Sequence, residues 1–140
     1  MVGPALAPLM RISQSLVDEI VAHARQDLPN ECCGMVGGGG EEARTVYRAE
    51  NAEASPLRYS IDAKEQFRLM RAIEDAGEEL VGIYHSHTKS AAYPSQTDVN
   101  LAGWPDAVYL IVSLAEPGAP DLKGFWIREG KIAEAELVVG

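Results

Sequence analysis

The chain has 140 residues, of which 46% are hydrophobic and 24% charged, and its net charge at pH 7 is −9. This length predicts a single domain over residues 1–140 with a core large enough to be stable without disulfide bonds. An acidic surface repels phosphate groups, so we do not expect nucleic acid as a partner. No apolar run approaches the length of a membrane span, so no membrane association is expected either.

Residues 1–9 include two prolines and are predicted to form a flexible arm. The only cysteines are the adjacent pair Cys32 and Cys33. Neighbouring residues of a strand point to opposite faces, and a bond between them would be strained, so both are expected to be free thiols. Reduced cysteines are typical of a cytoplasmic protein, which is the location that we expect.

The first half of the chain predicts a helix followed by strands. Residues 15–26 carry apolar side chains at helical spacing, and His23 is assigned a surface or half-buried position there with no function. Residues 31–38 predict a buried strand, which turns at the glycines 37–40 into a second strand over residues 43–50. The glycines lack the Gly-Lys-Ser/Thr ending of a phosphate-binding loop.

The second half begins with a predicted strand over residues 57–63. A helix then starts after Asp62, presents Phe67 and Ile73 on one apolar face, and ends at Gly77. Further strands are predicted over residues 79–87 and 107–115, and a pair over residues 122–139 turns at Glu129-Gly130. The order of elements predicts an α/β (α+β) protein with a mixed central sheet flanked by helices.

The sequence HSHTKSAAYPSQTD, which begins at His85, follows the apolar strand that is predicted to end at His87. Residues i and i+2 of a strand share a face, so His85 and His87 project together at a distance that suits two imidazoles on one metal ion. Asp98 is the natural third ligand, because the intervening loop is long enough to fold back. Three protein ligands leave a fourth position for water, as in catalytic zinc sites.

A simpler interpretation of the same residues stays open. Ser95 and Asp98 fit a capping box, which begins helices in many proteins, and two histidines at a strand end can occur by chance. The two interpretations are compatible, because a helix beginning at Ser95 would direct its positive end towards the site. Metal-assisted hydrolysis also needs a proton acceptor, and Glu31 is the candidate because an unpaired carboxylate in a buried strand is otherwise costly.

These residues resemble the signature of the JAMM (MPN-plus) metalloproteases, in which an upstream glutamate precedes H-x-H-P-x6-S-x2-D. Glu31, His85, His87, Ser95 and Asp98 all match, and the order of elements fits along almost the whole chain. The chain departs from the pattern at Thr88, where many members have proline. This departure puts the rigidity of the loop in doubt, but it does not affect the metal ligands. The resemblance implies the cytidine-deaminase-like fold of the family.

The resemblance also implies roles for these residues. His85, His87 and Asp98 would bind one Zn²⁺ ion per chain, Glu31 would deprotonate the attacking water, and Ser95 would donate a hydrogen bond to the oxyanion. The family hydrolyses amide or isopeptide bonds, often directly after the C-terminal Gly-Gly of a ubiquitin-like protein, whose extended tail would lie beside a sheet edge.

The motif most resembles a stand-alone bacterial subgroup that works beside ubiquitin-like sulfur-carrier proteins. The implied reaction is hydrolysis of the bond between the carrier's C-terminal Gly-Gly and cysteine, a step of cysteine biosynthesis. The alternatives are an isopeptidase of the deubiquitinase type acting on another ubiquitin-like protein, a non-catalytic MPN scaffold, and a structural zinc site that recruits Cys32 or Cys33. The sequence leaves the oligomeric state open, a homodimer included.

Overall fold

The computed structural model describes residues 9–140, so the predicted arm, apart from Leu9, lies outside the described residues. In chain order the elements are β1 (Met10–Ile12), α1 (Gln14–Asp27), β2 (Cys33–Gly39), β3 (Glu42–Ala49), α2 (Ala63–Asp75), β4 (Glu79–His87), α3 (Gln96–Leu101), β5 (Val108–Ser113), β6 (Asp121–Arg128), β7 (Lys131–Ala135) and β8 (Leu137–Val139). None of the helices in this part of the chain is long and apolar enough to cross a membrane. The assignment of residues 1–140 to one domain stays a prediction.

The eight strands form one sheet in the order β7-β6-β5-β4-β2-β3-β1-β8. Strand β4 pairs antiparallel with β2 and parallel with β5, so the sheet is mixed, as expected. Helices flank it, which confirms the predicted α+β class. The turn at Glu129-Gly130 is also confirmed, because both residues have positive φ, as the type I′ turn of a two-residue β-hairpin requires.

Helix α1 covers one face of the sheet. Ser13 caps it by accepting a hydrogen bond from the Leu16 amide at 3.2 Å, and Ile20 and Ala24 pack into the core. His23 is buried, and its Nδ1 atom lies 2.6 Å from the hydroxyl of Tyr84. The prediction of a surface or half-buried histidine is therefore wrong, because Tyr84 gives the buried imidazole a hydrogen-bond partner.

Helix α2 packs on the opposite face. Asp62 caps it and Gly77, with φ of +73°, follows its last turn, so both predicted ends are confirmed. The apolar face was predicted less well, since Leu69 and Ile73 are buried whereas Phe67 is 66% exposed. The helix is rotated so that Leu69, at the spacing of one turn from Ile73, meets the sheet.

The glycine-rich segment extends strand β2 further than predicted. The predicted turn covered residues 37–40, but β2 continues to Gly39, and the left-handed φ of the turn falls at Gly40. A side chain at Gly38 could not be accommodated, because its Cβ atom would lie 1.9 Å from the carbonyl oxygen of Glu42. Gly38 is therefore required by the close approach of β2 and β3 at an irregularity in their register.

The strand predicted over residues 57–63 is wrong. These residues form an irregular loop organised by the buried side chain of Asn51. Its amide group donates to the carbonyl of Arg58 at 3.0 Å, and its oxygen accepts from the amides of Glu53 and Ser60. Because one side chain satisfies these backbone groups, the segment does not need a neighbouring strand.

Candidate metal centre

Strand β4 places His85 and His87 at its carboxyl end, between two neighbouring strands. His85 lies opposite Cys33 of β2, and His87 lies opposite Ser113 of β5. Both imidazoles are buried, with 1% and 4% of their surface exposed. Ser86, between them, points to the other face, where its hydroxyl accepts a hydrogen bond from the Cys32 amide at 2.8 Å. The alternation predicted from the sequence therefore brings the two histidines to one face.

Helix α3 brings Asp98 to these histidines. The Ser95 hydroxyl accepts a hydrogen bond from the Asp98 amide at 3.1 Å, and the Ser95 amide donates to Oδ2 of Asp98 at 2.9 Å. The predicted capping box is thus confirmed. The loop before it is held by the Ser113 hydroxyl, which donates to the carbonyl of Ser90 at 2.6 Å.

Three donor atoms converge at this point. Nε2 of His85 and Nε2 of His87 lie 3.1 and 3.0 Å from the same Oδ2 of Asp98, and 3.2 Å from each other. In a tetrahedral zinc site with bonds of about 2.1 Å, ligand atoms are separated by about 3.4 Å. The donor set therefore fits a zinc ion after adjustments of a few tenths of an ångström. His87 is already oriented, since its Nδ1 atom lies 2.8 Å from the carbonyl of Ala91.

The electrostatics of Asp98 and His85 favour a bound cation. Burial disfavours the ionised form of Asp98, but the hydrogen bonds with His85 and His87 outweigh it and lower the pKa of the carboxyl. Burial lowers the pKa of His85. Asp98 is therefore a carboxylate and His85 a neutral imidazole at neutral pH, which are the protonation states in which these side chains bind metal.

Glu31 lies beside this group but is not one of its donors. Its side chain is 4% exposed, and Oε1 has no hydrogen-bond partner among the described residues. Burial raises the pKa of the Glu31 carboxyl to about 7, an effect that His87 opposes and Asp98 reinforces. The backbone holds the residue in place, because its amide donates to the carbonyl of Ser55 at 2.9 Å and its carbonyl accepts from Asn51 at 3.1 Å.

A cleft of about 350 Å³ opens next to these residues. It is lined by Glu31, Pro56, Leu57, His87, Thr88, Lys89, Ser90 and Ser95. The cleft thus brings together the predicted base, one predicted metal ligand and the predicted oxyanion donor. Thr88, the departure from the family pattern, donates a hydrogen bond to the carbonyl of Pro56 at 3.3 Å, which connects the two walls.

Tyr59 is a site residue that sequence reasoning missed. Its ring stacks on the imidazole of His85, with centroids 4.5 Å apart and planes inclined by 22°. It also lines a second cavity of about 230 Å³ together with Trp104 and Tyr109. Residues 57–63 had been predicted as a strand, and nothing in their sequence indicated that the loop returns to the histidines.

The cysteines do not join the donor group. Cys32 packs in the core beneath α1, whereas Cys33 packs against Leu69 and Ile73 of α2. Both are buried free thiols, and burial raises the pKa of Cys32 to about 12. Within the described part of the chain, the metal-binding group of histidines and acids contains neither thiol. The structure gives no support to the alternative of a zinc site that recruits them.

Comparison with known proteins identifies the family. The model of the prokaryotic homologues of the JAB domain matches residues 13–127. The chain belongs to this family. A relative from Mycobacterium tuberculosis, named CysO-cysteine peptidase, is 46% identical over 130 residues, which cover 91% of this chain and 89% of the relative. A relative from Haloferax volcanii, named desampylase, is 44% identical over 104 residues, or 69% of this chain and 74% of the relative.

Solved structures agree with the fold. A protein from Desulfitobacterium hafniense superposes with a TM-score of 0.86 at 37% identity and covers 94% of this chain and 93% of its own. A JAB1/MPN domain protein from Archaeoglobus fulgidus gives a TM-score of 0.58 at 20% identity, covering 92% of this chain and 99% of its own, which shows the shared fold alone. The expected JAMM/MPN family and fold are confirmed. So is the expected class of enzyme, a hydrolase of the metalloprotease type.

Proposed function

We propose that this JAB-family protein is a zinc-dependent peptidase that hydrolyses the amide bond between the C-terminal Gly-Gly of a ubiquitin-like sulfur-carrier protein and cysteine. The observation that carries the proposal is the convergence of three donor atoms within 3.2 Å beside the buried carboxyl of Glu31. The name of the 46% identical relative, CysO-cysteine peptidase, supports a conjugate of a protein with cysteine as the substrate.

His85, His87 and Asp98 would hold one zinc ion through Nε2, Nε2 and Oδ2. Two imidazoles and a carboxylate, with a fourth position left for water, are a donor set typical of catalytic zinc. When bound, the ion would supply Lewis-acid polarisation of the scissile carbonyl and a lowered pKa for water.

Glu31 accepts the proton of the attacking water and passes it to the leaving nitrogen. A carboxyl whose pKa is raised to about 7 by burial exchanges protons readily at neutral pH. Water adds its oxygen to the carbonyl carbon and the carbon–nitrogen bond breaks. The products are the carrier, which now ends in a glycine carboxylate, and free cysteine, whose amino group receives the proton.

Ser95 donates a hydrogen bond to the oxygen that gains negative charge in the transition state. Its Oγ atom already accepts a hydrogen bond from the Asp98 amide, so its own hydrogen remains available to the cleft. Ser95 is not the nucleophile, because its Oγ atom is paired with the Asp98 amide, a donor, and among the described residues no base accepts a hydrogen bond from its hydroxyl.

The partner is a ubiquitin-like carrier whose extended Gly-Gly tail reaches the metal centre. Glycines suit this position because their lack of a side chain lets the backbone approach closely. The two buried thiols are compatible with a reducing compartment, and a cytoplasmic location stays a prediction.

A second candidate is the cleavage of conjugates between a ubiquitin-like protein and another protein. A relative from Thermus thermophilus, 33% identical over 132 residues that cover 94% of this chain and 83% of the relative, is named a probable TtuB-protein conjugate cleaving protease. The two candidates share one site and differ in the leaving group. The non-catalytic scaffold is less well supported, because the chain retains the glutamate, both histidines, the serine and the aspartate of the family motif.

The deciding experiment offers the zinc-loaded protein two substrates and reads the products by intact mass. One is a carrier that ends in Gly-Gly-Cys, and the other is the same carrier joined through Gly-Gly to a protein lysine. We expect release of cysteine, loss of activity with a chelator and its recovery with zinc. Cleavage of the lysine conjugate alone would establish the second candidate, and cleavage of neither would refute both.

A further inference from the structure

We propose that Lys89 binds the α-carboxylate of the residue that leaves, and so makes the enzyme selective for a single C-terminal amino acid. This inference rests on the proposed function, because it concerns the leaving group of that reaction. Lys89 lines the same cleft as Glu31, His87 and Ser95, and it is the one cation among the cleft-lining residues that the structure describes.

The charge of Lys89 is not used by the fold. Its side chain is exposed, and none of the ion pairs found in residues 9–140 includes it. A lysine has a flexible four-carbon stem and three donor hydrogens, so it can move its ammonium group along the cleft to a ligand. A cation without a partner is notable in a chain whose acids outnumber its bases by 21 to 12.

The leaving group carries an anion that can pair with Lys89, namely its own α-carboxylate. When a single amino acid leaves, its carboxylate is attached to the same carbon as the scissile nitrogen, and it therefore lies close to the reacting atoms. Glu31 and Asp98 are acids of the same site and offset the charge of a bound zinc ion, so the ammonium group of a nearby lysine would add attraction for this third carboxylate. A lysine side chain as leaving group brings no such carboxylate, because its α-carboxyl is part of a protein backbone.

The test compares two forms of one substrate, a carrier ending in Gly-Gly-Cys and the same carrier ending in cysteine amide. The zinc-loaded wild type should cleave the carboxylate form with a kcat/KM roughly tenfold higher, as expected for one charge-assisted contact in a partly exposed cleft. Lys89→Met should lose that preference through a roughly tenfold loss on the carboxylate form alone. Lys89→Arg should retain most of it, and Lys131→Met, an exposed lysine of the edge strand β7, should behave as wild type.

A binding measurement separates recognition from turnover. In the Glu31→Gln background, calorimetry should give the same ratio of Kd for the two substrates, and Lys89→Met should remove it. Equal cleavage of both substrates by the wild type, or an equal loss on both in Lys89→Met, would overturn the role of Lys89 and leave the proposed function standing. If the wild type cleaves neither substrate, the proposed function fails, and this inference fails with it.

Discussion

Replacing Glu31 by glutamine should make the metal-free protein more stable while abolishing its activity. The pKa of the Glu31 carboxyl rises from 4.5 to about 7 on folding, because burial penalises the charged form. A carboxyl with a raised folded pKa destabilises the fold progressively as pH rises from the unfolded value to the folded one. At pH 8 this penalty amounts to as much as about 3 kcal/mol, and at pH 5 to about 1 kcal/mol or less.

The assay is urea unfolding in the presence of a chelator, because a bound cation would favour the ionised carboxylate and mask the effect. Glu31→Gln should exceed the wild type in free energy of unfolding at pH 8, and the gain should shrink at pH 5. Glu74→Gln is the matched control, since Glu74 is exposed on α2. With zinc restored, the Glu31 variant should retain the metal and lose about 10²- to 10⁴-fold in turnover.

Two results would refute this reasoning. A variant no more stable than wild type at pH 8 would show that the carboxylate is not penalised in the fold. A variant that no longer binds zinc would make Glu31 a ligand in place of a proton acceptor.

Three further predictions test other parts of the structure. His87→Ala should lose zinc and cleavage together, as metal analysis and a cleavage assay of the purified variant will show, and activity surviving without zinc would refute the zinc-dependent mechanism. Burial lowers the pKa of His23, so the stability that neutral His23 gives should be complete above pH 6.5 and decline as pH falls below it. When the free energies of unfolding of wild type and His23→Gln are measured at several pH values with a chelator present, the wild type should lose stability relative to the variant as the pH falls. Parallel pH curves for the two proteins would contradict this. Gly34→Ala places a Cβ atom 2.3 Å from the ring of the fully buried Tyr84. The free energy of chemical unfolding should therefore fall by about 3 kcal/mol or more. An unchanged free energy of unfolding would show that the ring can move.

The sequence predicted the strands best where hydrophobic patterning was strong. Strand β4 was bounded correctly at Glu79 and His87, because its apolar residues run without interruption into the histidines. Alternation along that strand then sufficed to bring the two imidazoles to one face. Asp98 was the expected third ligand because the loop before it is long enough to fold back, and the capping box that begins at Ser95 fixes its position within four residues.

The failures share a physical cause, since they depend on contacts between distant segments. Tyr59 reaches His85 only because the side chain of Asn51 folds the intervening loop, and no periodicity records such a contact. The rotation of α2 that exposes Phe67 is likewise set by packing against the sheet. The buried position of His23 depends on Tyr84, sixty-one residues away.

The double use of one oxygen of Asp98 affects how mutagenesis of this centre must be interpreted. Oδ2 faces both imidazoles and also accepts the hydrogen bond that begins α3. Truncation to alanine would thus remove one hydrogen bond of the capping box as well as one metal ligand, and the resulting loss of activity could not be assigned to either cause alone. Asparagine, which keeps a side-chain acceptor for the Ser95 amide but gives up the negative charge, is the substitution that distinguishes scaffold damage from weakened coordination.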